Sequence, residues 1–198
     1  MIWVTKKHIK VNRAATAWLI RRFIDPDASI RFVEPGQVAD VQRREGATGF
    51  DAPEASYPHR DAEGRCSFEA LVGQHCPGDA ALVALARIVH GADFGTQIDL
   101  TPESAGLRAI SDGFPLVARD DHETVERAAF LYDALYASLR ARIEQGGVCE
   151  ESGRPGPDAA RGPRAHGRGD RRRARHRKRH ARRNSHEGGP RPAACLPR

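Results

Sequence analysis

The sequence predicts a mainly α-helical α+β fold. It would be a compact bundle of about five helices with a short strand component, followed by a disordered basic tail. Three observations carry this reading. Several stretches before residue 147 combine a cap residue with apolar side chains spaced three or four apart. A single stretch, Ser29 to Glu34, alternates apolar and polar before Pro35-Gly36. The charge then changes character: residues 147–198 hold 15 Lys/Arg and 5 Asp/Glu, a net of +10, which leaves 17 and 21 in residues 1–146, a net of −4.

The first helix is expected from Asn12, an N-cap residue type, to Ile24, where Asp25-Pro26 stops it. Ala14, Ala17, Trp18, Ile20 and Ile24 form a broad apolar arc, with Leu19 and Phe23 opposite, so the helix reads as buried. Arg21 points into that arc, an unusual place for a charge. Residues 36–49 read as loop with a helical turn at Val38–Arg44. Gly49–Asp51 and Ser56–His59 read as short extended pieces. Ser67 is placed as the cap of a helix to His75, Asp79 as the cap of one to Ala92, and Thr101-Pro102-Glu103 as the start of one ending near Gly113. Asp120 and Glu123 form an acidic counterpart of a capping box for a last helix, Asp121–Glu144. Its tyrosine-rich face is open to packing on the core or on a second copy, so a homodimer is an option.

A chain of 198 residues suits one domain plus a tail. The domains expected are residues 1–146, globular, and 147–198, a disordered Arg/Gly/Pro-rich tail. Val148 and Leu196 are the tail's only branched aliphatics, and it has no aromatic residue. Nothing there offsets the ordering cost of about 1–2 kcal/mol per residue. The run RRRARHRKRHARR at 171–183 reads as a nucleic-acid arm or targeting signal, or as GC-rich DNA translated in a shifted frame. The acidic core excludes a domain that grips nucleic acid with its whole surface. No apolar run reaches the ~18 residues of a membrane helix, the N-terminus lacks a signal-peptide pattern, and the four cysteines form no CxxC pair. A cytoplasmic protein without a membrane partner is the expectation.

Candidate chemistry lies among histidines and acids. On the helix from Asp79, His90 and Asp93 share a face that turns inward. A buried carboxylate needs a partner: an arginine, the histidine, or a metal, unless the helix frays at Gly91 and exposes both. His59 lies in a loop ten residues before Glu69. His59, Glu69 and His90 make a plausible N/O ligand set for zinc, iron or manganese, with Asp93 and His122 as supporting or alternative ligands. The spacing matches no tight metal motif. Glu123 is explained by capping. Arg13 and Arg21 are the candidate oxyanion-binding groups, because guanidinium suits tetrahedral oxyanions. An internal ion pair of Arg21 with Asp51, Asp93 or Glu69 is the structural alternative. Cys66 reads as a small buried hydrophobe rather than a redox centre.

The blocks together resemble a known family. Val11-Asn-Arg-Ala-Ala-Thr-Ala-Trp-Leu-Ile-Arg-Arg-Phe-Ile-Asp-Pro26 is similar to the opening signature of the chromate-resistance family, the ChrB-type C-terminal domain. His59-Arg-Asp-Ala-Glu-Gly-Arg-Cys-Ser-Phe-Glu69, Leu85-Ala-Arg-Ile-Val-His-Gly-Ala-Asp93, Pro102–Phe114 and Asp120–Glu123 follow in the same order. The resemblance spans about residues 3–142. One departure is Asn12, where the family often has Asp. The family's full-length regulators carry a separate DNA-binding part, so transcriptional control by this chain alone is not expected. The resemblance implies a chromate-resistance or chromate-sensing accessory protein that binds a metal ion or oxyanion. A metal-dependent redox or hydrolytic enzyme is the second reading. Nucleic-acid binding through the tail is the third.

Overall fold

The computed structural model describes residues 1–146. The disorder expected of the tail, and its basic run at 171–183, lie outside the described residues. The order of elements is β1 (Ile2–Lys6), α1 (Val11–Leu19), a wide π turn (Ile20–Ile24), β2 (Ser29–Val33), α2 (Val38–Glu45), β3 (Thr48–Gly49), α3 (Ser67–His75), α4 (Ala80–Asp93), a 3₁₀ segment (Gly95–Leu100), α5 (Ser104–Asp112), α6 (Phe114–Val117) and α7 (Asp121–Gly146). The mainly helical α+β expectation holds. Among the described residues, seven α-helices replace the expected five or so, because Val38–Glu45 is a full helix and Phe114–Val117 forms a short extra one.

The strand component is a three-stranded parallel sheet ordered β2-β1-β3. Residues 2–6 of β1 pair in register with 29–33 of β2, and Trp3 and Val4 pair with Thr48 and Gly49 of β3. The central strand is β1, which the sequence reading did not assign. Trp3, Val4 and Thr5 are all buried, as a strand covered on both faces must be, so β1 lacks the period-2 pattern that reveals half-buried strands. The expected extended pieces near 50 and 57 meet as one parallel bridge, Phe50 to Tyr57.

Helix α1 is the axis of the core. All nine of its residues are buried. Trp18 packs beside Phe23, Tyr132 and Tyr136, and the Tyr132 hydroxyl donates to the Val11 carbonyl at 2.9 Å. The tyrosine face of α7 is therefore used inside the chain. Asn12 does not cap α1; the cap position is Lys10, and Asn12 sits within the first turn, 1% exposed. Likewise Cys66, not Ser67, caps α3. Asp79 caps α4 as expected, accepting from the Ala81 and Leu82 amides at 3.0 Å.

The backbone departs from simple expectation at the ends of α1 and α4. At Ile20–Ile24 the helix widens, with the Asp25 amide bonded to the Ile20 carbonyl five residues back at 2.7 Å. The widening breaks the 100° step on which Arg21 was placed, and Arg21 is half-buried rather than inside the apolar arc. In α4 the helix runs through Gly91 to Asp93 without fraying. A Cβ on Gly91 would lie 2.4 Å from Ser104 Oγ and 2.9 Å from the Gln97 carbonyl, so only glycine lets α5 approach α4 this closely. Arg108 of α5 then donates to the Ala92 carbonyl at 2.9 Å, satisfying an open acceptor of the α4 C-terminus.

Candidate metal centre

The start of α1, the turn after β3, the loop at His59, the start of α3 and the end of α4 meet in one polar cluster. Its scaffold is Asn12. The Asn12 amide donates from Nδ2 to Asp51 Oδ1 at 2.8 Å. Its Oδ1 accepts from Ser67 Oγ at 3.2 Å and from the Phe68 backbone amide at 3.3 Å. Asn12 thus ties the β3 turn to the first turn of α3, a tertiary role in place of the local capping role expected.

Asp51 is the most constrained group of the cluster. It is 2% exposed and holds a left-handed backbone at φ 51°, a strained conformation for a residue with a side chain. Its carboxylate accepts from Asn12, from Arg13 NH1 at 3.1 Å, and from His59 Nδ1 at 2.6 Å. Arg13 NH2 donates to the His8 carbonyl at 2.8 Å, while its Nε is buried without a hydrogen-bond partner among the described residues. His59 is held by one ring nitrogen while its side chain stays 44% exposed. The hydrogen bond to Asp51 raises the His59 pKa above its ordinary value, against the opposing effect of partial burial.

Asp93 completes this cluster from the last turn of α4. Its Oδ2 lies 3.5 Å from His59 Nδ1, beyond a good hydrogen bond, and is buried with no hydrogen-bond partner. Burial first, and the Asp51 charge second, push its pKa up to about 6. One oxygen each from Asp51 and Asp93 and one nitrogen of His59 lie within 4.8 Å of one another.

A second cluster, Cys66, Glu69 and His90, meets the same distance criterion, but it is closed. Glu69 Oε2 accepts from the Cys66 amide at 2.8 Å, as the return half of the α3 capping box, and pairs with His90 Nδ1 at 2.5 Å. His90 Nε2 meets Gln97 Oε1 at 2.9 Å. Burial, with the Glu69 charge behind it, raises the Cys66 thiol well above its ordinary range, so it is an inert thiol, as the sequence suggested. Phe94 separates the clusters, with its ring centroid 5.3 Å from that of His59 and 4.6 Å from that of His90.

The expected set of His59, Glu69 and His90 is therefore divided. Glu69 and His90 bond to each other, while His59 joins Asp93, placed in the sequence reading only as a supporting group. His122 is exposed and packs edge-on against Phe32, 4.8 Å between centroids, in contact with neither cluster. Arg21 has no ion pair among the described residues; its suggested partner Asp51 is taken by Arg13. Asp51 itself was missed as a ligand candidate. Its one sequence signal is a turn-forming Asp two residues before Pro53, which says nothing of its tertiary partners.

The family model for the ChrB C-terminal domain matches residues 3–139. The chain belongs to this family. Protein ChrB of Cupriavidus metallidurans (strain ATCC 43123 / DSM 2839 / NBRC 102507 / CH34) is 34% identical over 138 residues, which cover 68% of this chain and 39% of that protein. The matched region is thus well under half of that relative. No solved structure matches the chain. The resemblance to the chromate-resistance family drawn from the sequence blocks is borne out, with nearly the same boundaries. No described helix is long and apolar enough to cross a membrane.

Proposed function

We propose that the chain is a cytoplasmic chromate-resistance accessory domain whose working element is a divalent cation held by Asp51, His59 and Asp93. The observation that carries this is the buried, unpartnered Oδ2 of Asp93 beside a second carboxylate. A buried carboxylate without a partner is costly, and two carboxylates at this distance repel. A cation removes both costs. Two carboxylates and one imidazole form an oxygen-rich set that suits manganese, iron or zinc, and three protein ligands leave positions open.

Charge argues against a bare oxyanion in the same place. Asp51, Asp93 and Glu69 line the site, and Arg13 is already neutralised by Asp51. A dianion entering there meets carboxylates first. Open positions on a bound cation would also admit a substrate, so metal-dependent turnover is the second reading; the strained Asp51 backbone favours it.

Metal analysis by mass spectrometry on the purified chain tests the proposal. Near-stoichiometric manganese, iron or zinc is expected in the wild type, with loss in both His59→Ala and Asp93→Asn. A folded wild type that holds no metal and resists reconstitution would refute it. Turnover abolished by a chelator would add the enzymatic reading.

A further inference from the structure

Two residues other than glycine hold a left-handed backbone among the described residues: His8, at φ 61°, and Asp51, at φ 51°. A side chain makes that conformation costly, so each turn needs partners that hold it. One guanidinium serves both. Arg13 is buried, and it donates from one terminal nitrogen to the Asp51 carboxylate at 3.1 Å and from the other to the His8 carbonyl at 2.8 Å. Its planar fork fixes the angle between the two acceptors, which a point charge does not. The turn between β1 and α1 is thereby tied to the turn after β3.

His8 is gripped from its other side as well. The His8 and Ile9 amides donate to the two oxygens of the Asp121 carboxylate, each at 3.0 Å. Successive amides at a left-handed residue form a concave anion seat. Its occupant here is a side chain of the same chain, 112 residues on from Ile9. Helix α7 does not need this carboxylate as a cap, because Asp120 fills that role. Asp120 Oδ1 accepts from the Glu123 amide at 2.8 Å, and its carbonyl from the Thr124 amide at 3.0 Å.

We propose that Arg13 and Asp121 are positioning residues of the cation site. Asp121 seats the His8 turn, the His8 carbonyl seats Arg13, and Arg13 holds Asp51 in the strained turn that presents its carboxylate to His59 and Asp93. The inference rests on the cation reading above. It extends the site to a residue at the start of α7 that bonds to none of the three ligands among the described residues. Cation affinity therefore depends on how firmly Asp121 holds the turn between β1 and α1. Cation binding tightens that hold in return, because coupling between two sites is reciprocal.

Manganese titration of the full chain by calorimetry tests this, in the wild type, Asp121→Ala, His8→Gly and the double variant. Asp121→Ala should weaken manganese about fivefold, the lower end of coupling between distinct sites. His8→Gly alone should bind as the wild type does. The double variant should recover most of the lost affinity, because glycine adopts the left-handed turn without help. Arg13→Lys should also weaken manganese, since lysine keeps the charge and loses the fork, and His8→Gly should not restore it. Hydrogen exchange in the metal-free chain gives a second readout. The Asp51 amide, bonded to the Tyr57 carbonyl at 2.9 Å, should exchange faster in Asp121→Ala and slow again in the double variant. An Asp121→Ala chain that melts earlier but binds manganese as the wild type does would overturn the inference and leave the cation reading standing. So would a loss of affinity that His8→Gly leaves unrestored. Failure of the wild type to bind manganese, iron or zinc would remove the cation reading, and an unchanged Asp51 exchange rate in Asp121→Ala would overturn the clamp whether or not a cation binds.

Discussion

The two clusters on either side of Phe94 each join a histidine to an acid, one with a second carboxylate and one with a thiol, and they differ in hydrogen-bond closure. In the Cys66–Glu69–His90 cluster the carboxylate serves an N-cap amide and an imidazole, and the other imidazole nitrogen meets Gln97. In the Asp51–His59–Asp93 cluster, Asp51 accepts from three donors, which leaves acceptor capacity on its carboxylate, while Asp93 Oδ2 accepts from none and Arg13 Nε beside it donates to none. Proximity of His, Cys and acidic atoms describes both equally. What separates a structural network from a ligand site is the group left over when the internal bonds have been made. A closed network stabilises the fold, whereas an open one costs stability until a ligand arrives.

The largest effect should come from opening the closed side. Glu69→Ala removes the partner of a buried histidine and of the α3 cap amide. It should cost about 3 kcal/mol, read by chemical denaturation. A loss below ~1 kcal/mol would show that the cluster is not structural.

The pH dependence of the metal-free chain comes next. Asp93 titrates near pH 6 in the fold, against 3.8 ordinarily. Folding therefore takes up a proton between those values, and its contribution is full below about pH 4 and lost as pH rises through about 6. The expected loss is about 3 kcal/mol. His59, whose pKa is also raised, continues the decline above its ordinary pKa of 6.5. Saturating cation should invert the slope, because deprotonated ligands bind metal better. Denaturation midpoints from pH 4 to 8, with and without manganese, read both. A metal-free chain that gains stability over this range would contradict the assignment.

Asn12→Asp loads the open side further, by installing the residue that the family often has. It would replace the 2.8 Å donor to Asp51 by a further carboxylate. The metal-free chain should lose about 1–2 kcal/mol, and cation affinity should rise. A destabilised variant with unchanged cation affinity would separate Asn12 from the site.

The smallest effect has the opposite sign. Asp93→Asn removes a buried charge whose Oδ2 accepts no hydrogen bond, and the metal-free chain should gain about 1 kcal/mol, where an ordinary buried substitution loses stability. Thermal melts of the metal-free proteins show the sign.

Much of the fold was legible because its signals are local. Asp79 caps α4, and the seven-residue recurrence of Val125, Tyr132 and Leu139 gives α7 its buried stripe. The central strand was hidden by burial on both faces, and Arg21 was misplaced because a π turn is invisible to a fixed helical period. The site was legible in kind and not in pairing. His59, Glu69, His90 and Asp93 all lie at the site, but which carboxylate meets which imidazole depends on how α4 passes the starts of α1 and α3. Asp51 and Asn12 act through partners 39 residues apart in the chain, and no short-range pattern marks them.

The open cluster should bind the cation and the closed one should not. Manganese titration of Asp93→Asn beside His90→Gln distinguishes them, with folding of both checked by circular dichroism. The prediction is that Asp93→Asn abolishes binding while His90→Gln, though less stable, binds as the wild type does. Manganese retained by Asp93→Asn and lost in a folded His90→Gln would place the ligand in the cluster described here as closed, and contradict it.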